Sequence, residues 1–293
     1  MQFGIIPPVR LGVTADPDWM TSFARHAEAC GFESVVLVEH AVVISDYEST
    51  YPYAASGKMP LPDDCRSPDP LDLMAYLAAV TERITLATGV LVVPNHQAVV
   101  LAKRIATVDV LSAGRVRMCV GVGWMDEELA ATGADPRSRG RRTDETIMAM
   151  RSLWADSGPG GADFEGEFVS FRHAHSFPKP VRPGGVPIHI GGHSEAAARR
   201  AGRLGDGFQP LGLAPEVLIT RLEEVRREAE ACGRDPGAIE LSLSGYLPTT
   251  TEEDVVAAEA AGAVRLVAST SMTAEIDAVA EEMSAFAERF GLR

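Results

Sequence analysis

Glu39 and His40 end an apolar run, VVLVEHAVV, with a carboxylate beside an imidazole that titrates near neutrality. Such a pair at a strand end can move a proton or polarise a bound atom. The plain alternative is a strand that simply reaches solvent. Two later segments have the same form, a strand running into chemistry-bearing residues. In GVGWMDEE, Gly121, Val122 and Gly123 leave room for a flat ligand, and Trp124 is either a wall for it or a rim aromatic. In IHIGGHSEAAARR, Gly191 and Gly192 precede His193 and Ser194 at a helix start, where free N–H groups and the helix dipole favour an anion such as phosphate. Ordinary turn chemistry gives the same pattern.

A metal centre is disfavoured, because Glu39, His40, His96 and His193 match no metal-binding spacing such as H-E-x-x-H. There is no G-x-S-x-G elbow, Walker loop or Rossmann fingerprint.

For these residues to act together, the fold must bring several strand ends to one place. Apolar strands are expected at FGIIP, 34–38, 83–93 (with Gly89 and Val90 late in it), 114–123, 186–192, DGFQP, IELSLSGYL and AVRLVAS. Helical segments alternate with them: Pro17 to Cys30, capped by Asp16 and stopped by Gly31, then 97–112, Arg142 to Trp154, SEAAARRAGRLG and a helix through Leu218, Leu222 and Val225. A short helix near 252–261 and an amphipathic one from Ile276 to Phe290 close the series. This α/β alternation predicts a (β/α)8 TIM barrel, one domain over 1–293, with a doubly wound open sheet as the alternative. Two long excursions interrupt it. Residues 41–70 follow the second strand and should rise from the C-terminal mouth; residues 155–185 precede the fifth and contain a hairpin, FEGEFVSF.

The formal charge of −14 argues against non-specific binding to nucleic acid or to an anionic membrane. The four cysteines share no C-x-x-C spacing and read as thiols in a reducing compartment. No apolar run approaches the ~18 residues of a membrane span, and no signal peptide is evident, so a cytoplasmic protein is expected.

The segments LVEHAVV, TERITLATGVLVVPNHQAVVLAKRIATVDVLSAGRVRMCVGVGWMDEEL, RRTDETI and VPIHIGGHSEAAARRAGRLGDGF closely resemble the bacterial luciferase-like oxidoreductases, and within them the coenzyme F420-dependent branch. The resemblance implies a homodimer holding a deazaflavin (F420) or a flavin (FMN) at each barrel mouth. It implies a non-proline cis peptide at Gly89–Val90 behind the ring, His40 near ring and substrate, and Gly191, Gly192, His193 and Ser194 as the phosphate turn. Glu39, Gly121, Val122, Gly123 and Trp124 would complete the cofactor site. The sugar-phosphate dehydrogenases of the superfamily carry a glutamate where Trp124 stands, so Trp124 and the Tyr47, Tyr51 and Tyr53 loop point to a more apolar or planar substrate, unless the tyrosines serve to pack the loop down.

The expected activity is hydride transfer between F420 and a small organic molecule, with His40 catalytic and Glu39 either orienting it or contacting the cofactor. Its rivals are an FMN-dependent monooxygenase supplied by a separate flavin reductase and a flavin-binding protein without turnover. Arg137, Arg139, Arg141 and Arg142 either offer cations for the acidic tail of F420 or form a solvated helix start paired with Asp144 and Glu145.

Overall fold

Asp16 starts the first helix by accepting from the N–H groups of Asp18 and Trp19, both at 3.0 Å, with Pro17 in the first turn. The computed structural model, which describes residues 1–155 and 158–292, builds the rest from similar local devices. Its strands are β1 (Gln2–Ile6), β2 (Ser34–Leu37), β3 (Thr85–Thr88), β4 (Leu91–Val92), β5 (Val116–Gly121), β6 (Ala162–Glu165), β7 (Ser170–Ala174), β8 (Ile188–Gly191), β9 (Gly207–Gln209), β10 (Glu240–Tyr246) and β11 (Ala263–Ser269). Its α-helices are α1 (Pro17–Ala29), α2 (Pro70–Val80), α3 (Ala98–Leu111), α4 (Asp126–Ala131), α5 (Arg139–Trp154), α6 (Glu195–Leu204), α7 (Pro215–Ala231), α8 (Glu252–Ala260) and α9 (Ile276–Phe290).

All barrel pairings are parallel. They run from β1 through β2, β3, β5, β8, β9, β10 and β11, and β11 pairs back with β1, which closes the barrel. Helices cover the outside, so central strands are buried on both faces, as at Val35, Val36 and Leu37 or Met118, Cys119 and Val120. The predicted hairpin is β6–β7, antiparallel and apart from the barrel. Its turn is pinned to α5, where the Glu145 carboxylate accepts from the N–H groups of Glu167, Phe168 and Val169 at 2.8, 2.6 and 2.5 Å.

Three local expectations need correction. The strand expected over 83–93 is two short strands, β3 and β4, which share one barrel position on either side of a cis Gly89–Val90 peptide. Helix α5 begins at Arg139 rather than Arg142, because a turn of 3-10 helix at Pro136–Ser138 runs straight into it. Helix α2 has no counterpart in the sequence reading. Its sequence, PLDLMAYLAAV, is apolar on most sides, and it packs between α1 and α3, so burial is not confined to one periodic stripe. Asp69 caps it through the N–H groups of Leu71 and Asp72.

The N-terminal end of the barrel is closed by charge. Arg265 donates to Glu33, Glu240 and Ser242, each at 3.0 Å, and to Gln2 at 2.8 Å. Arg117 pairs with Glu33 and donates to Ser34 at 2.8 Å. Glu33, Arg117, His189, Glu240 and Arg265 line a pocket of about 480 Å³ on the face opposite the candidate chemistry. The ion pairing there marks a stabilising floor.

His189 is 1% exposed, and burial together with the Arg117 and Arg265 charges lowers its pKa to about 3. An unfolded chain takes up this proton near pH 6.5, whereas the folded barrel does not until about pH 3. Stability is therefore lost as pH falls below the unfolded value, by up to about 1.4 kcal/mol per pH unit. Urea titrations between pH 7 and 5 should show the His189→Gln protein losing stability less steeply, by close to one proton. Identical slopes would refute this account.

Candidate active site

The sheet order β2, β3 with β4, β5, β8 places four successive strand ends on one arc of the C-terminal rim. Their extensions carry Glu39 and His40, Val90, Gly121 to Trp124, and Gly191 to Ser194. The sequence-predicted residues thus share one rim.

The two residues that end the VVLVEH run turn to different partners. His40 Nδ1 lies 3.0 Å from Oε2 of Glu128, whose other oxygen accepts from the Ala41 N–H at 2.6 Å. Glu128 lies in α4 and is 3% exposed. A carboxylate only accepts, so the contact puts a proton on Nδ1 and leaves Nε2 for exchange with a ligand. Glu39 does not orient His40, contrary to the sequence expectation. It is 7% exposed, and its oxygens accept from the Val92 N–H at 2.5 Å and meet His96 Nε2 at 2.7 Å. Glu39 therefore ties β2 to the segment that follows the β3–β4 break.

Val90, at that break, stands against two bare glycines. A Cβ on Gly121 would lie 2.8 Å from Val90 Cγ2, and one on Gly191 would lie 2.5 Å from Val90 Cγ1. A Cβ on Gly89 would overlap Val36. The strand ends therefore accept no added atom around Val90. Gly123 has φ +79°, and a Cβ there would crowd Val92 and Leu129, so it serves the turn into α4. Val122, between these glycines, is partly exposed. Burial pushes the Cys119 thiol, next to Gly191, up to about 12, which leaves it un-ionised and unreactive.

The GGHS turn enters α6. Gly192 has φ +110°, and the Ser194 hydroxyl accepts from the Ala197 N–H at 3.2 Å. Earlier N–H groups of the first turn have no intrahelical acceptor. The His193 carbonyl accepts from Arg221 Nε at 3.1 Å, and its buried Nδ1 has no protein partner among the described residues.

The excursion after β2 crosses this rim as a line of rings. His40 and Trp124 have centroids 6.3 Å apart, Trp124 and Tyr51 5.1 Å, Tyr51 and Tyr53 5.4 Å, and Tyr53 and His193 5.2 Å. Each pair is edge to face. Tyr47 also meets Trp124, at 5.2 Å, but is packed with Met59 and Met125 and accepts from the Met59 N–H at 2.7 Å. The loop is fastened by Glu127, which accepts from the N–H groups of Glu48 and Ser49 and from the Ser49 hydroxyl, at 2.7, 3.1 and 2.7 Å. The Ser49 hydroxyl leads these contacts in lowering the Glu127 pKa to about 2.

Glu128, Glu127 and Arg221 were not found from sequence. The available signal was MDEELAA, in which the third acid falls beside the buried Leu129. Three of the four arginines expected to meet an acidic tail are already paired: Arg137 with Asp135, Arg139 with Asp126 and Arg141 with Glu167. Arg142 has no ion pair among the described residues and lies 5.8 Å from the Phe168 ring.

A profile of a family described as luciferase-like monooxygenase matches residues 1–291. An uncharacterized Mycobacterium tuberculosis protein is 39% identical over 170 residues, which are 57% of this chain and 58% of that relative's length. An F420-dependent glucose-6-phosphate dehydrogenase of Kineococcus radiotolerans is 29% identical over 281 residues, covering 92% of this chain and 75% of the relative. The solved F420-dependent secondary alcohol dehydrogenase, in complex with an F420-acetone adduct, superposes with a TM-score of 0.77 at 19% identity, covering 100% of this chain and 99% of that one.

Proposed function

The chain belongs to the luciferase-like monooxygenase family, and we propose that it is a coenzyme F420-dependent oxidoreductase acting on a small organic substrate. One observation carries this reading: Val90, packed against the side-chain-free Gly121 and Gly191, lies on the rim between His40 and the GGHS helix start. A flat ring fits against Val90, and an attached phosphate fits the first-turn N–H groups of α6, where the His193 Nδ1 also lacks a partner. The deazaflavin supplies the hydride chemistry. The protein orients the substrate and handles the proton, with His40 Nε2 as the exchanging atom and Glu128 as the group that holds its ring.

The F420-dependent relatives support this cofactor. Arg142 is the cation we assign to the acidic tail of F420. We also take the protein to be a cytoplasmic homodimer. Among the described residues no helix is long and apolar enough to cross a membrane, and α3 leaves Val99, Val100, Val110 and Leu111 exposed.

Fluorescence titration should give tighter binding of F420 than of FMN. Affinity should fall as salt rises through screening, and the salt effect should shrink in Arg142→Ala. Turnover should proceed without oxygen uptake. Preference for FMN with oxygen consumption would move the protein to the monooxygenases, and tight binding without turnover across a substrate panel would make it a carrier.

A further inference from the structure

We infer that the organic substrate is an uncharged, planar, conjugated carbonyl compound, held by Trp124, Tyr51 and Tyr53. The inference takes the redox role from the proposed function, but the binding it asserts does not depend on which cofactor is present.

Of the three loop tyrosines, Tyr47 is accounted for by packing, with its hydroxyl occupied by the Met59 N–H and its ring 4.2 Å from Lys58 Nζ. Tyr51 and Tyr53 differ. Among the described residues neither hydroxyl has a hydrogen-bond partner, although both rings stand in the line that crosses the mouth. Tyr53 is 38% exposed, yet its partial burial raises its phenol pKa, as burial does that of Tyr51, so both remain neutral donors. The rings meet at 71° to 79°, and none is stacked in parallel with its neighbour. A flat molecule can therefore lie against these rings and accept from two phenols through its carbonyl oxygens.

Charge points the same way. The ionic groups beside His40 are the carboxylates Glu39 and Glu128, both turned to protein partners. Lys58 donates to the Tyr47 carbonyl, and Arg139 is paired with Asp126. Arg10, exposed and near Tyr51, and Arg66, exposed beside Gly12, have no ion pair among the described residues, while Arg142 is the cation assigned to the cofactor's tail. A phosphorylated sugar bound beside His40 would lie next to two carboxylates, with the unpaired arginines out at the loop and the cofactor's tail, a poor exchange for its hydration.

Menadione, an uncharged naphthoquinone, serves as the probe, and glucose 6-phosphate as the anionic competitor. Trp19 and Trp154 are buried elsewhere, so quenching of tryptophan fluorescence reports on Trp124 and should disappear in Trp124→Phe. Menadione should quench saturably with or without F420, and glucose 6-phosphate should not displace it. Loss of an aromatic contact with its phenol should weaken binding about 10-fold in each of Tyr51→Ala and Tyr53→Ala. Tyr51→Phe and Tyr53→Phe, which keep the rings and the loop, should lie between.

Absent or non-saturable quenching, unchanged affinity in the tyrosine variants, or displacement by glucose 6-phosphate would overturn the inference. Failure of F420 to bind, with menadione still bound as described, would instead remove only the cofactor assignment.

Discussion

His40→Ala should lower turnover by roughly 10²–10⁴-fold, the range of a general acid–base group, with F420 affinity changed by no more than a few-fold. The split is the informative part. His40 lies at the end of the strand next to the Val90 break, and its remaining ring nitrogen is the one available to a substrate. Equal loss of binding and turnover would make it a cofactor anchor, and full activity would return it to a solvated strand end. Glu128→Gln extends the test to the residue that positions the ring. It keeps an acceptor near Nδ1 but removes the charge, so kcat should fall while KM and the F420 affinity hold. Nitrogen NMR of the His40 ring should show a mixed tautomer in place of the Nδ1–H form. Unchanged kcat with a lower melting temperature would leave Glu128 a purely structural acid.

The barrel was legible because its strands are short apolar runs separated by glycine or proline, and several feed a helix with its own start signal. Asp16–Pro17 and Ser194 stand at such starts; Asp16 caps its helix as read, and Ser194 caps α6 in the structure. Helix α2 was not legible, since burial between two other helices removes the polar face that reveals an amphipathic period. The split of the third strand escaped for a related reason. TLATGVLVV is largely apolar, and an apolar run records burial but not where the hydrogen-bonding register breaks. Within the site, His40 and the GGHS turn stood out because an imidazole or a glycine pair at a strand end is conspicuous. The partner of His40 did not, because Glu128 is one acid among three and its importance comes from a contact across 88 positions of sequence. The order of rings across the mouth is likewise a property of how the loop folds back. From sequence, Tyr51 and Tyr53 could not be told from Tyr47, which packs the loop.

Gly191→Ala should cost F420 affinity far more than it costs the fold. The added methyl would lie 2.5 Å from Val90 Cγ1 and 3.4 Å from both Cys119 Sγ and the Val120 carbonyl. The carbonyl belongs to the β5–β8 pairing and cannot retreat, and Cys119 is buried, so the valine must give way. On its other side Val90 already meets the bare Gly121, which leaves displacement into the cofactor's space as the remaining direction. Overpacking of this kind costs about 1–3 kcal/mol, within the stability of an ordinary domain. The variant should therefore fold, melt a few degrees lower, and bind F420 at least about 100-fold more weakly, since the flat contact behind the ring is lost. Val90→Ala in the same chain removes the displaced atoms, so the double variant should recover most of the lost affinity, a coupling that independent sites would not show. If Gly191→Ala binds F420 normally, or if Val90→Ala fails to restore the loss, the ring does not rest against Val90, and the cofactor assignment at this rim falls.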